Sequence, residues 1–419
     1  MADKLALDGG TAVRTEPLPA GRGLALFGDE ERTAALEVIE SRSLFRYYGP
    51  DLLRKAEAFE HALCEFVGAR HAVGLSSGTA ALRGGLAALG IGCGDEVIVP
   101  SFTFIATVNA VIVAGAVPIF CEVDETLNAD PSDVEAKITL RTAAVMPVHL
   151  EGVACDMEAL REIARKRRIA LIEDACQSLG TSYKGKHVGT FGDVGAFSLQ
   201  LEKNVTAGEG GALVTDDERL LVRAARYSDQ GGQFVTSYGV ERGEELAEPF
   251  AGENLRMTEI AGAIAEAQLR KLPTIIERFR ANKRKIIGSL GSIDGLEPRH
   301  SHDPDGDGAS SLTWFLPSAE IARRFANALR AEGIPAGAMY AGRPVYANPA
   351  ILAKRTATGK GGPWNCAEHP TDVTYEMGMC PSTEALVARS LSIGNGAAFS
   401  PSDCEDVATA IAKVASHLL

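Results

Sequence analysis

No apolar run in this 419-residue chain reaches the roughly 18 residues needed to cross a bilayer. Its first residues, MADKLALDGGTAVRTEPLP, lack the apolar core of a signal peptide, so a soluble, cytoplasmic protein is expected. Positive charge is also in deficit: 42 Lys and Arg against 55 Asp and Glu leave a net charge of -13, which repels polyanions and excludes nucleic acid as a partner in the absence of a local basic patch. The one short basic cluster, Arg165 to Arg168, ends an amphipathic helical segment, where cations offset the helix dipole. Metal-type cysteine spacing is missing. The eight cysteines (Cys64, Cys93, Cys121, Cys155, Cys176, Cys366, Cys380 and Cys404) are dispersed, with no CxxC pair and no His/Cys cluster, so no metal is expected and they read as reduced, small core residues. No internal repeat is visible.

What is present suits a globular protein: 46% apolar and 23% charged residues give a core large enough for two domains. Residues 1–30 are rich in Gly and Pro and read as an extended arm. From about 55 to 215, short apolar runs alternate with helical segments: HAVGL, DEVIVP, AVPIFCEV, TAAVMPV, IALIED, VGAFSL and GALVT. That alternation predicts an α/β fold with a mainly parallel sheet covered by helices on both faces. One crossover is explicit, with Asp156 capping a helix whose Met157, Leu160, Ile163 and Ala164 share a face. The texture changes near 275. We therefore expect an arm (1–30), a large domain (31–275) and a smaller C-terminal α+β domain (276–419), with 299–311, RHSHDPDGDGASS, as an exposed loop. Its DPDGDG stretch lacks the remaining spacing and terminal Glu of a calcium loop and reads as a turn.

Ligands of such sheets gather at the carboxyl ends of strands. After HAVGL, Ser77, Gly78 and Thr79 open a helix whose free N–H groups and dipole suit a phosphate, although Ser and Thr also cap ordinary helices. Asp174 ends a buried strand, where a carboxylate needs a cationic or hydrogen-bonding partner; a structural salt bridge and a cofactor contact both satisfy that. Lys203 sits between VGAFSL and a glycine-rich turn, so a partly desolvated, nucleophilic amine competes with a plainly solvated one. Phe104 follows a strand and offers either a stacking face or core packing. In this chain order, a phosphate-suited helix start, an aromatic, a strand-end Asp and a lysine among glycines are the parts that pyridoxal phosphate needs.

With these stretches, from LALDGGTAVR through SSGTAAL, GDEVIVPSFTFIAT, PVHLEG, EDACQSLG, GDVGAFSLQLEKNVTAGEGGALVTDD and NLRMTEI to CPSTEALVARSLSI, the chain resembles the DegT/StrS-type sugar aminotransferases, a branch of the fold-type I pyridoxal-phosphate enzymes. The resemblance implies that Lys203 holds the cofactor covalently and that Ser198 and the helix start at Ser77, Gly78 and Thr79 bind its phosphate. It implies Phe104 over the ring, Asp174 at the ring nitrogen and Gln177 near the ring hydroxyl. Asn254 would reach the phosphate of a neighbouring subunit, which implies a homodimer with shared sites.

The implied activity is transfer of an amino group from glutamate or glutamine to a keto sugar or keto cyclitol in amino sugar or secondary-metabolite biosynthesis, with no nucleic-acid or membrane partner. Lys203 would carry the donor's α-proton, and Asp174 would keep the ring nitrogen protonated. The chain departs from the family at Glu151, where many relatives have Tyr, at Glu253 and Leu255, where aromatics are frequent, and at YSDQGG, which replaces the usual Asn-His-Gly. Gln200 in SLQLEK is similar to relatives that aminate cyclitols or make aminohydroxybenzoate. His149, Glu151 and Arg256 are further candidates to face substrate. Rival readings are elimination or aromatisation, sugar dehydration, whose enzymes carry His in place of Lys203, and a ligand-sensing regulator. A regulator needs a DNA-binding module that the roughly 30 residues before the fold are too few to form.

Overall fold

The computed structural model describes residues 4–19, 21–232, 234, 238, 247–359, 362–366 and 373–419. Seven strands form the main sheet: β1 (His71–Leu75), β2 (Glu96–Pro100), β3 (Val117–Cys121), β4 (Thr142–Val145), β5 (Ala170–Asp174), β8 (Val194–Ser198) and β9 (Gly211–Thr215). A two-stranded hairpin, β6 (Ser182–Tyr183) and β7 (Lys186–His187), intervenes in the chain. The spatial order is β1-β9-β8-β5-β4-β2-β3, with β9 alone antiparallel to its neighbours. Hence the C-terminal ends of β1, β5 and β8 share one edge of the sheet, and there they meet the start of β9.

The sheet is parallel because crossover helices bring each strand back in the same sense, and both faces are consequently buried. Period-two alternation assigns the faces. Val97 and Val99 of β2 and Leu213 of β9 join one apolar cluster, while Ile98, Ala212 and Val214 join the other. Helices Gly78–Leu89, Ile105–Ala114 and Glu218–Ser228 cover the first face; Lys55–Val67, Met157–Arg167 and Glu259–Leu269 contribute to the second. In Met157–Arg167, Asp156 accepts from Ala159 N at 3.1 Å, and Met157, Leu160, Ile163 and Ala164 are all buried. Its terminal basic run is spent on surface ion pairs: Lys166 and Arg167 with Glu135, and Arg165 with Glu162.

A three-stranded antiparallel sheet, β10 (Glu297–Pro298), β11 (Ser311–Phe315) and β12 (Ser390–Gly394), packs with helices Ala319–Ala331 and Pro401–Leu418 around Trp314, Phe325, Leu391 and Ile411. Helix Leu272–Leu290 feeds both cores, Phe279 to the large one and Ile286 to the small one. The N-terminal segment is anchored along this surface: Leu5 is buried, Ala6 N and Val13 N donate to Glu332, and Arg14 pairs with Asp403 and Asp406. Further on, Gly23 N donates to Lys203 O at 3.1 Å. Among the described residues no helix is long and apolar enough to span a membrane.

Two expectations are corrected. The cysteines are not all reduced: Cys93 and Cys366 form a disulfide with Cα atoms 5.9 Å apart, because folding brings together residues separated by 273 positions. Cys64 and Cys176, moreover, are only half-buried. The 299–311 stretch is not simply an exposed loop, since 306–311 is buried. Gly306 O accepts from Ser182 N, Gly308 N donates to Gly152 O, and Asp307 pairs with Lys283, so distant partners satisfy its polar groups.

Candidate active site

At the carboxyl end of β1, Ser77 leaves the strand in extended backbone and caps the next helix, its Oγ accepting from Ala80 N at 3.0 Å. The N–H groups of Gly78 and Thr79 find no partner among the described residues. Such free donors at the positive end of a twelve-residue helix suit an anion. Two glycines set how close this helix start comes to the sheet. A Cβ on Gly78 would lie 2.8 Å from both Cys176 Sγ and Ser198 Cβ, and one on Gly211 would lie 2.3 Å from the carbonyl carbon of Ser77. The helix start, Ser198 and β9 are therefore in direct contact.

Asp174, the last residue of β5, is 4% exposed. Thr107 Oγ1 donates to its Oδ2 at 2.7 Å and Cys176 N to its Oδ1 at 3.1 Å, while Thr103 Oγ1 holds the Thr107 hydroxyl at 3.0 Å. No cation pairs with Asp174 among the described residues, which leaves a buried carboxylate oriented by neutral donors and suited to a cationic ligand. Burial, and then the Asp174 charge, push the neighbouring Cys176 thiol well up, against an opposing effect from Lys203. That thiol stays neutral.

The loop after β8 fixes Lys203 by its backbone: Lys203 N donates to Gln200 O at 2.9 Å, and Asn204 Nδ2 donates to Leu179 O at 3.0 Å. Its side chain borders a cavity of about 430 Å³ together with Asp174, Ser198 and the helix start. Phe104 is 53% exposed and lines the same space. Gln177 Nε2 donates to the Tyr340 hydroxyl at 3.2 Å, and the Tyr340 ring centroid lies 6.3 Å from that of Phe104. Burial, and next the Glu151 charge, raise the Tyr340 phenol, so it remains protonated.

The structure thus brings Ser77, Gly78, Thr79, Phe104, Asp174, Gln177, Ser198 and Lys203 to one cavity. Asn254 is exposed and does not line it; it forms an antiparallel bridge with Asp229. Of the three further candidates, only Glu151 lines the cavity. His149 is fully buried, its Nε2 3.0 Å from Glu173 and its Nδ1 accepting from Cys155 N, and Arg256 pairs with Asp229. Sequence reasoning missed Thr107 and Tyr340. Thr107, three residues beyond Phe104, was findable as the first polar side chain facing the strand ends; Tyr340 carries no local signal.

A mostly parallel sheet with this lysine, carboxylate and anion cradle at its carboxyl edge defines an α/β enzyme of the fold-type I pyridoxal-phosphate class. More particularly, residues 27–412 match the DegT/DnrJ/EryC1/StrS aminotransferase family, and the chain belongs to it. It is 33% identical over 434 residues to L-glutamine:2-deoxy-scyllo-inosose aminotransferase of Streptomyces fradiae, covering 100% of this chain and 99% of that protein. It is 38% identical over 327 residues to spore coat polysaccharide biosynthesis protein SpsC of Bacillus subtilis (strain 168), 75% of this chain and 78% of that one. The crystal structure of 3-amino-5-hydroxybenzoic acid synthase superposes with a TM-score of 0.81 at 28% identity over 96% of this chain and 100% of the other.

The protein is an aminotransferase, and aminotransferases of this family depend on pyridoxal 5′-phosphate. The cavity fits that group: two unpartnered backbone donors and Ser198 for a phosphate, a buried carboxylate without a cation for a protonated heterocycle, an exposed aromatic face, and a lysine free of ion pairs among the described residues.

Proposed function

We propose that the chain transfers the amino group of glutamine or glutamate to a ketone on a polyhydroxylated ring, a keto cyclitol or keto sugar. The observation that carries this reading is the convergence of Lys203, Asp174 and the open helix start on one cavity. The cyclitol and sugar assignments draw on the full-length relative named for an inosose and on the one named for a polysaccharide. Bound pyridoxal phosphate would supply an electron-accepting cationic ring.

The residues divide the work around it. Gly78, Thr79, Ser77 and Ser198 bind the phosphate; Asp174, oriented by Thr107 and Cys176 N, holds a proton on the ring nitrogen. Phe104 bounds one side of the ring. Gln177, tied to Tyr340, meets its hydroxyl. Lys203 Nζ would anchor the cofactor and, as a free amine, would take the proton from the donor's α-carbon and deliver one to the product carbon.

The same reading makes the protein a cytoplasmic homodimer in which Asn254 serves the partner's site. It divides the chain into the arm (1–30), the cofactor domain (31–275) and the small domain (276–419). In that compartment the Cys93–Cys366 bridge is exposed to thiol reductants, so its redox state is worth measuring. The likeness to 3-amino-5-hydroxybenzoic acid synthase favours one rival, aromatisation of a ring ketone on the same cavity.

The deciding experiment incubates the purified holoenzyme with amide- or amino-¹⁵N glutamine and glutamate against a panel of keto cyclitols and nucleotide-linked keto sugars. The expected product is a ¹⁵N ring amine derived from the α-amino nitrogen. No label in any acceptor refutes the proposal, and an unlabelled aromatic product establishes the rival.

A further inference from the structure

Arg22 and Glu151 form an ion pair beside the cavity, with side chains 16% and 17% exposed. Glu151 lines the cavity, and Arg22 is joined to that lining through Glu151. Both charges act on the Tyr340 hydroxyl, Glu151 raising and Arg22 lowering its affinity for a proton, and Glu151, Tyr340 and Gln177 line the same cavity. Arg22 makes no other side-chain hydrogen bond or ion pair among the described residues. Its backbone is fixed relative to the chemistry, because the next residue, Gly23, is buried and donates to Lys203 O.

The charges lining the cavity pose a problem for an amino-acid donor. Glu151, Asp174 and Glu209 are acidic, and Lys203 is the only cation among the described lining residues. That wall repels the α-carboxylate every such donor carries. The acceptor presents hydroxyls instead, for which carboxylate oxygens are good partners. One cavity must serve both in turn.

We propose that Arg22 is the residue that binds the donor's carboxylate, and that Glu151 occupies the guanidinium only between donor visits. The donor carboxylate replaces one carboxylate by another on the same fork, so the exchange costs Arg22 no hydrogen bonds. When the donor skeleton departs, Arg22 returns to Glu151, and the neutralised pair offers oxygens to the acceptor's hydroxyls. The inference rests on the aminotransferase reading above and assigns its specificity to a single exchangeable ion pair.

The test uses the pyridoxal-phosphate-loaded protein and glutaramate, which has the carboxylate and amide of glutamine but no amino group and so binds without reacting. Arg22→Met should weaken glutaramate roughly 10- to 100-fold, the loss of one charge-assisted pair. Arg22→Lys should recover part of that loss. Glu151→Gln should act in the opposite direction and tighten glutaramate, since the competing carboxylate is gone, while raising KM for the ring ketone. A purely structural ion pair would move both variants the same way. Equal weakening by Arg22→Met and Glu151→Gln, or unchanged glutaramate binding in Arg22→Met and Arg22→Lys, overturns the assignment. Absence of transfer from any α-amino acid in the wild type removes the aminotransferase reading itself, a separate outcome.

Discussion

Gly211→Ala tests whether the close approach of β9 to the helix start builds the anion cradle. The added Cβ would stand 2.3 Å from Ser77 C, 2.4 Å from Ser77 O and 2.6 Å from Gly78 N, all backbone atoms. Gly211 cannot retreat, because it is paired with Leu75 on one side and Ser198 on the other. The Ser77–Gly78 peptide must therefore move by roughly 1 Å, at about 1–3 kcal/mol of overpacking. The same shift misaligns the Gly78 and Thr79 donors, and losing one to two charge-assisted bonds weakens pyridoxal phosphate by roughly 10- to 100-fold. Titration of apoprotein with the cofactor, followed by absorbance, measures this, and thermal melts with and without cofactor separate it from general destabilisation. Gly288→Ala is the control: it lies in helix Leu272–Leu290 with open space around the new methyl, and should stabilise by about 0.5–1 kcal/mol without altering affinity. A Gly211→Ala protein with wild-type affinity and melting would refute the reasoning.

Lys203→Ala should abolish turnover yet leave stability within about 0.5 kcal/mol, since this side chain makes no ion pair among the described residues. Borohydride treatment of the wild type and peptide mapping should find the cofactor on the Lys203 peptide and nowhere else. Cys93→Ser should lower stability by about 2–4 kcal/mol under oxidising conditions, and a reductant should erase the difference from wild type. If the reductant leaves the wild-type melt unchanged, the bridge does not bear on stability. Glu332 tests the N-terminal anchor: burial alone would raise it, but Ala6 N, Lys413 and Val13 N more than offset this and hold it below its ordinary 4.5. A carboxylate depressed on folding stabilises above its unfolded value and loses that contribution as pH falls through the folded one. The melting gap between wild type and Glu332→Gln should thus be full at neutral pH and close as pH falls through the lowered value of the folded carboxylate; a gap independent of pH would count against the anchor.

The strands were legible because parallel strands buried on both faces appear as short, β-branched runs bounded by glycine, and a chain alternating them with helical segments has few ways to fold. Asp174, Ser198 and Lys203 were legible for a related reason: each lies at or just after a strand end, so the topology alone carries them to one edge. What failed was whatever depends on distant partners. Tyr340 reaches Gln177 across 163 positions from a left-handed backbone (φ 48°) that no local motif announces. Arg22 finds Glu151 across 129 positions, out of a segment that reads only as Gly- and Pro-rich. His149 occupied the expected strand-end position but turned inward, because a neighbouring acid claims its ring.

That acid, Glu173, shows how β5 separates folding from chemistry. Successive residues of a strand point to opposite faces, so the adjacent carboxylates Glu173 and Asp174 part company. Glu173 is fully buried and accepts from Gly189 N, Phe191 N and Gly192 N at 2.5–2.7 Å, with His149 Nε2 at 3.0 Å. Its lone pairs are spent on fixing the loop ahead of β8. Asp174 has only a hydroxyl and one N–H, which orient it without neutralising it. Amidation should therefore split the pair. Glu173→Gln puts an NH₂ where an acceptor is needed and should cost about 2–4 kcal/mol of stability, with any surviving folded protein keeping most of its turnover. Asp174→Asn relieves a buried charge, should leave the apoprotein melt unchanged or higher, and should lower kcat by at least about 100-fold through loss of the ring-nitrogen proton. Melting curves and kcat on both variants decide it: a stable, inactive Glu173→Gln beside an unstable, active Asp174→Asn would invert the assignment and remove Asp174 from the chemistry.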